Sequence, residues 1–163
     1  MVVIIMGVSG SGKTTIGRLL ADRMDWRFFD ADAFHPPENV QKMSAGIPLD
    51  DEDRRPWLSK LRKQIVECLE ADEDAVLACS ALKEDYRKQL MVGDPSVRLV
   101  YLDTDPSLAR QRLQGREDHF MPADLVKSQF KALEEPEEAI KVPAKWAPAR
   151  IVNRIRQELV QGS

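Results

Sequence analysis

The sequence is poor in the residues that stabilise small secreted domains and zinc sites. It holds only two cysteines and two histidines among 163 residues. Cys68 and Cys79 are too few for a disulfide framework and lack the spacing of a metal-binding pair. These absences predict a cytoplasmic protein of the reducing compartment, without a zinc site.

Long apolar runs and a surplus of positive charge are also missing. No apolar stretch approaches the roughly 20 residues that span a membrane, and no basic segment precedes the first apolar run. The formal net charge is −3, because 24 Lys and Arg stand against 27 Asp and Glu. We therefore expect no signal peptide, no membrane partner and no nucleic-acid partner bound through bulk charge.

Short apolar runs alternate with helical patterns along the whole chain, and 43% of the residues are apolar. The periodicity predicts strands at 2–6, 27–30, 75–79, 99–102 and 139–142. It predicts helices at 13–24, 36–45, about 51–71, 82–92, 105–113, 122–133 and 151–160. This alternation predicts one α/β domain over residues 1–163, with a mainly parallel five-stranded sheet and helices on both faces.

The motif Gly7-Val8-Ser9-Gly10-Ser11-Gly12-Lys13-Thr14 lies between the first predicted strand and helix. It matches G-x-x-x-x-G-K-[ST] in the context that a phosphate-binding P-loop requires. Backbone N–H groups of such a loop surround a phosphate, the lysine contacts the β and γ oxygens, and the threonine hydroxyl binds Mg²⁺. We expect residues 7–14 and Thr15 to bind ATP, with Lys13 catalytic and Thr14 a magnesium ligand.

The remaining chain narrows the class of P-loop protein. Its two asparagines, Asn39 and Asn153, do not begin an Asn-Lys-x-Asp guanine-binding element, and the chain is too short for a motor or transporter ATPase. A small kinase that binds its acceptor on the same domain fits the sequence best. A nucleotide sensor without catalysis is the alternative from another class.

Two carboxylates follow the second predicted strand, at the edge where ligands of open α/β sheets bind. Asp30 and Asp32 are two residues apart, so alternation along a strand predicts that they share a side. One is suited to hold Mg²⁺ and the other to accept the proton of a substrate hydroxyl. Ordinary capping at the strand end is the alternative.

Two arginines, Arg112 and Arg116, flank Gly115 near the end of a predicted helix. Arginines before a glycine-containing loop suit a lid that closes over a phosphate group and stabilises its charge. We expect both to be catalytic and the lid to cover about residues 112–124. A solvated basic helix face is the alternative.

Other basic residues are candidates to bind an anionic substrate. Arg54 lies at the start of a long helix, where the helix dipole disfavours a cation unless an anion is near. Lys83 and Arg87 are one helical turn apart after the third strand and are also placed to bind an anion. His35 is either a contact to substrate hydroxyls or a turn residue before two prolines.

Beyond the P-loop, the sequence closely resembles the gluconokinase family of carbohydrate kinases. The resemblance covers residues 3 to about 136 and is far more specific than the P-loop alone. The segments that carry it are residues 30–39, 42–43, 46–49, 51–58, 79–87 and 119–136. Residues 137–147 depart from the family pattern, in a region that lies near the adenine in relatives.

The resemblance implies ATP-dependent phosphorylation of D-gluconate at its 6-hydroxyl, giving 6-phosphogluconate and ADP. It also implies a three-layer fold like that of nucleoside kinases, with strand order 2-3-1-4-5. By the same likeness, Asp30 serves Mg²⁺, Asp32 serves the substrate, and His119 joins the substrate site. A shikimate or adenylylsulfate kinase is the nearest alternative, and the sequence is compatible with a monomer or a homodimer.

Overall fold

The computed structural model describes residues 1–114 and 123–161 and confirms the expected sheet. All strand pairs are parallel, and the order is β2-β3-β1-β4-β5. The strands are β1 (Val2–Met6), β2 (Arg27–Asp30), β3 (Ala75–Ala78), β4 (Val97–Asp103) and β5 (Ile140–Pro143).

Helices cover both faces of this sheet, as the alternating pattern predicts. They are α1 (Lys13–Met24), α2 (Pro37–Ser44), α3 (Asp51–Glu70), α4 (Glu84–Met91), α5 (Pro106–Gln114), α6 (Ala123–Ala132) and α7 (Pro148–Gln161). Among the residues described, no helix is long and apolar enough to cross a membrane.

The continuous apolar run of β1 is explained by burial on both faces. Val2, Ile4 and Met6 lie in a cluster with the apolar residues of α3 and α4. Val3 and Ile5 lie in a second cluster with α1 and α7. Because alternate residues of a strand point to opposite faces, a central parallel strand must be apolar throughout.

Capping residues set the position of the long helix α3. The Asp50 side chain accepts from the Asp53 N–H at 2.8 Å, and the Asp53 side chain accepts from the Asp50 N–H at 3.1 Å. This reciprocal pair is a capping box, with Asp50 as the N-cap. It fixes the start of α3, whose first two turns carry Arg54 and Trp57.

A short 3₁₀ turn over Ala31–Phe34 follows β2 directly, and the sequence did not predict it. The Asp30 carboxylate caps the turn by accepting from the Asp32 N–H at 3.0 Å. Because the strand ends at Asp30, the prediction that Asp30 and Asp32 share a side through strand alternation is wrong. The two carboxylates are related instead by a capped turn.

Candidate active site

The loop between β1 and α1 has the backbone conformation of a phosphate-binding loop. Gly10 and Gly12 have φ angles of +85° and +94°, in the left-handed region that favours glycine. A Cβ on Gly10 would lie 2.6 Å from the carbonyl oxygen of Ala109, so the turn packs directly on α5. α1 begins at Lys13, and its first N–H groups add positive charge beside the loop.

Lys13, Asp30 and Asp32 come together around Cys79, the residue after β3. Burial raises the pKa of the Cys79 thiol to about 12; the charges of Asp32 and Asp30 also raise it, and the charge of Lys13 lowers it. All three side chains are therefore within electrostatic reach of one buried point at the carboxyl edge of the sheet. The expected cation and both carboxylates therefore lie at the same edge of the sheet.

His35 follows the 3₁₀ turn that bears Asp32 and packs against α3, the helix that bears Arg54. Its ring stacks on Trp57, with centroids 4.4 Å apart and planes 10° apart. The Trp57 indole donates from Nε1 to the carbonyl of Ala31 at 2.7 Å. Burial lowers the pKa of His35, with Asp32 raising it and Arg54 lowering it. His35 is thus an ordered imidazole between these two charges.

Arg54 and Lys83 form a basic cluster around Tyr86. Arg54 donates from Nη1 to the Tyr86 hydroxyl at 3.2 Å, and that hydroxyl donates to the Asp51 carboxylate. The Nζ of Lys83 lies 3.7 Å from the same carboxylate. The hydrogen bond from Tyr86 lowers the pKa of Asp51, whereas burial and this bond raise the pKa of Tyr86. Arg54 is thus linked to Asp51 through a neutral phenol, whereas Lys83 pairs with the same carboxylate directly.

Arg87 has partners that its sequence context does not predict. It is 6% exposed and donates from Nη1 to the carbonyl of Ala81 and from Nη2 to that of Glu134, each at 2.8 Å. These bonds join α4 to the end of α6. Since both terminal nitrogens are bound to backbone oxygens inside the protein, we leave Arg87 out of the substrate site.

Arg112 also binds backbone oxygens, but next to the P-loop. It donates from Nη1 to the carbonyl of Ser11 at 2.9 Å and from Nη2 to that of Ala144 at 2.7 Å. Beside it is a cavity of about 230 Å³. The cavity is lined by Ser11, Gly12, Thr15, Ile16, Arg112, Ala144, Trp146, Pro148 and Ile151. Arg112 thus connects the P-loop to the chain segment after β5.

Some predicted residues fall outside the described part of the chain. Arg116, His119 and most of the expected lid, residues 112–124, belong to this group. At the far side of that gap, Gln129 of α6 accepts from the Ser9 N–H through Oε1 at 2.7 Å. The helix that follows the predicted lid therefore contacts the P-loop directly.

Sequence reasoning missed several residues of the site: Asn39, Asp51, Tyr86 and Gln129. Asn39 is 2% exposed and contacts His35. The position of Asn39 close to a histidine and two prolines could have pointed to it. A buried polar side chain needs hydrogen-bond partners, and the histidine is one. Tyr86 and Gln129 gave no such signal, since each acts through a contact distant in sequence.

Comparison with known proteins identifies the family to which the chain belongs. The shikimate kinase family model matches residues 9–159. The gluconokinase of Gluconobacter oxydans (strain 621H) is 50% identical over 134 residues, covering 82% of this chain and 75% of that protein. The thermosensitive gluconokinase of Escherichia coli (strain K12) is 42% identical over 161 residues, covering 96% and 86%. A crystal structure of a gluconokinase from Sinorhizobium meliloti 1021 superposes with a TM-score of 0.87 at 38% identity, covering 98% of this chain and 91% of that one.

The fold, the P-loop and these matches define a P-loop kinase, an ATP-using phosphotransferase that acts on an alcohol group of a small molecule. The identities to gluconokinases extend over most of the chain. The chain belongs to the gluconokinase family.

Proposed function

We propose that this protein transfers the γ-phosphoryl group of ATP to the 6-hydroxyl of D-gluconate, giving 6-phospho-D-gluconate and ADP. The observation that carries the proposal is the position of His35, which directly follows the 3₁₀ turn that bears Asp32 and stacks on Trp57 of α3, the helix that bears Arg54. These contacts support a site with a carboxylate near the P-loop and a basic cluster on the neighbouring helix. Gluconate has the matching form, with a primary hydroxyl at one end and a carboxylate at the other.

In this mechanism Asp32 accepts the proton of the 6-hydroxyl as its oxygen bonds to the γ-phosphorus. The bond from that phosphorus to the bridging oxygen of ADP breaks at the same time. Lys13 and the N–H groups of the P-loop stabilise the negative charge on the phosphate oxygens. Arg54 and Lys83 bind the gluconate carboxylate, and His35 contacts its hydroxyl groups.

The donor set also fits Mg²⁺. Among the described residues no group of three or more His, Cys, Asp or Glu could enclose a metal. Mg²⁺ in kinases instead binds through one or two protein oxygens together with waters and phosphates. The Thr14 hydroxyl and the Asp30 carboxylate are the residues we assign to it, and when bound it neutralises charge on the β and γ phosphates.

We assign the cavity beside Arg112 and Trp146 to the nucleotide base. It adjoins Gly12 and Thr15 of the P-loop, where the nucleoside of a bound ATP must leave the loop. Arg112 then supports the P-loop and borders the base. The roles of Arg116, His119 and a lid over residues 112–124 rest on the resemblance.

The function is tested by acceptor-dependent ADP release with a panel of gluconate, other aldonates, glucose, shikimate and adenylylsulfate. We expect gluconate to have the highest kcat/KM and glucose a low one, because a cation meant for the carboxylate would stay unpaired. Preference for shikimate would favour the activity that the matching family model describes. ATP binding without turnover on any acceptor would favour a nucleotide sensor.

Arg54 and its neighbour Arg55 provide a matched pair for the carboxylate contact. Arg54 bonds to Tyr86 inside the cluster, whereas the Arg55 side chain is 79% exposed. A charged hydrogen bond is worth about 2 kcal/mol, so Arg54→Met should raise the KM for gluconate by about 30-fold. Arg55→Met should leave it unchanged, and equal effects of the two changes would contradict the assignment.

Asparagine substitutions distinguish the role of Asp30 from that of Asp32. Asp32→Asn removes the proton acceptor and should lower kcat by about 10² to 10⁴, with little change in MgATP affinity measured by calorimetry. Asp30→Asn keeps an oxygen that can cap the 3₁₀ turn, but it should raise the magnesium concentration needed for turnover. Exchanged phenotypes would mean that the two roles are interchanged.

We further propose a cytoplasmic location and keep the homodimer as a hypothesis. Light scattering after size exclusion distinguishes 18.5 kDa from twice that mass. Cell fractionation with an antibody tests the location.

A further inference from the structure

The contacts of Asn39 define which way its amide points. Its side chain donates from Nδ2 to the backbone carbonyl of Asp53 at 2.8 Å. A carbonyl oxygen is only an acceptor, so the amide group that faces it must be the NH₂. Asn39 is 2% exposed, and turning the amide over would bring two oxygens together inside the protein.

The same NH₂ group determines the protonation of His35. The Nδ2 of Asn39 lies 3.1 Å from Nδ1 of His35. Since the NH₂ group can only donate, Nδ1 must be the unprotonated, accepting nitrogen of the ring. A neutral imidazole with an accepting Nδ1 carries its proton on Nε2.

The ring has little freedom to escape this arrangement. Trp57 stacks on its face and is itself fixed by the bond to the Ala31 carbonyl. The charged groups around the ring are Asp32, on the 3₁₀ turn, and Arg54, on α3. In the described part of the chain, Nε2 has no hydrogen-bond partner.

We propose that Asn39 is a positioning residue that holds His35 in its Nε2–H form, so that His35 donates a hydrogen bond to a substrate oxygen. This inference rests on the proposed function for the identity of the substrate, gluconate. It also separates the roles of two neighbouring residues. His35 donates a hydrogen bond and keeps its proton, whereas Asp32 alone accepts the proton that leaves the 6-hydroxyl.

Protonation of the ring would break the arrangement. An imidazolium carries a proton on Nδ1 as well, and that proton would point at the NH₂ group of Asn39. Two donors would then face each other in a buried position, so the neutral ring is favoured. Burial and Arg54 act in the same direction, since they lower the pKa of His35.

The first experiment reads the tautomer in the free enzyme by ¹⁵N–¹H correlation NMR of histidine side chains. Only two histidines are present, and the spectrum of His35→Gln assigns the signal. We expect Nδ1 unprotonated and Nε2 protonated at neutral pH. A protonated Nδ1 in the parent would overturn the inference, whatever the substrate.

The second experiment replaces the donor by an acceptor. In Asn39→Asp the carboxylate accepts a hydrogen bond from the Nδ1–H of the imidazolium and stabilises it, so the pKa of His35 should rise by about one unit or more. The acid limb of a plot of gluconate KM against pH should move upward by the same amount, while the KM for ATP stays constant. An unchanged His35 titration would overturn the inference.

Asn39→Ser covers the case in which Asn39→Asp does not fold. It replaces a group that can only donate by a hydroxyl that can donate or accept and adds no charge, so we expect both neutral tautomers in its spectrum. A spectrum with only the Nε2–H form would show that Asn39 is not needed.

Two substitutions of His35 itself test the donor in catalysis. The NH₂ of glutamine reaches about as far as Nε2, whereas that of asparagine reaches about as far as Nδ1. His35→Gln should therefore keep a lower KM for gluconate than His35→Asn, with similar melting temperatures. Equal KM values would contradict donation from Nε2. If gluconate were not the substrate, the parent enzyme would show no gluconate-dependent turnover, while the NMR result would stand.

Discussion

Replacing Trp57 by phenylalanine tests whether one buried hydrogen bond organises both the fold and the acceptor site. The Trp57 indole is 2% exposed and donates to the carbonyl of Ala31, the residue before Asp32. Phenylalanine cannot donate, so this buried carbonyl would lose its bond to the indole and keep the bond within the 3₁₀ turn, at a cost of about 1 kcal/mol. The smaller ring leaves a gap that costs about 1 kcal/mol more. A total of about 2 kcal/mol corresponds to a fall in Tm of roughly 4–8 °C for a chain of this length.

Trp26→Phe is the matched control for this change. Trp26 is half-buried against the other apolar cluster, and its indole nitrogen has no hydrogen bond to the described residues. We expect it to cost about 1 kcal/mol or less, and so a fall in Tm of at most roughly 4 °C. Melting is followed by circular dichroism, because both changes alter tryptophan fluorescence. Equal Tm values for the two variants would refute the role of the Ala31 carbonyl.

The Trp57 variant also has an expected kinetic signature. Trp57 stacks on His35, and the Ala31 carbonyl anchors the turn that carries Asp32. Below its Tm, Trp57→Phe should therefore raise the KM for gluconate more than the KM for ATP. A larger effect on ATP would mean that the turn supports the nucleotide site instead.

Three further predictions follow from the described contacts. Lys13→Met should abolish detectable turnover with a Tm within roughly 2 °C of the parent, because it removes phosphate stabilisation and little packing; a large fall in Tm would show a structural role. Gly10→Ala should destabilise more than Gly93→Ala in urea unfolding, since both have positive φ but only a Cβ on Gly10 meets backbone, 2.6 Å from the Ala109 oxygen; equal midpoints would refute this. Because the pKa of His35 is lowered from 6.5 in the fold, the folded state binds fewer protons. The free energy of unfolding should therefore fall as pH drops below about 6.5, by more in the parent than in His35→Gln.

The elements around the P-loop could be predicted to the residue because local signals agree there. A buried β-branched run, a glycine-rich loop and an amphipathic helix follow one another, and β1, α1 and β2 have the predicted bounds. α4 departs from its predicted bounds and begins at Glu84 rather than at residue 82. The carbonyl of Leu82 accepts from the Glu134 N–H at 2.8 Å, and Lys83 is extended at φ −104°. This hydrogen bond joins residues that are far apart in sequence and holds Leu82 in the loop, so the helix begins two residues later than predicted.

The candidate site was predictable where its chemistry is local in the chain. Lys13 and Thr14 belong to a motif whose spacing fixes their position, and Asp30 and Asp32 lie at the expected edge of the sheet. Their mutual geometry was not predictable, because a capped 3₁₀ turn, and not a continuing strand, follows β2. Its Ala31 carbonyl is bound by Trp57, a residue distant in sequence.

The arginines show why charge alone does not identify a binding residue. Arg54, Arg87 and Arg112 all looked suited to an anion, yet two of them bind mainly backbone carbonyls. Carbonyl oxygens occur at every residue, so their availability leaves no mark in the sequence. Arg54 differs because its described partner is the neutral hydroxyl of Tyr86, which in turn donates a hydrogen bond to Asp51. A guanidinium has five donors, and one bond to a phenol leaves it able to bind a carboxylate. Of these three arginines, Arg54 has the fewest hydrogen bonds to the described part of the protein. It is therefore the one that we expect to contact the substrate.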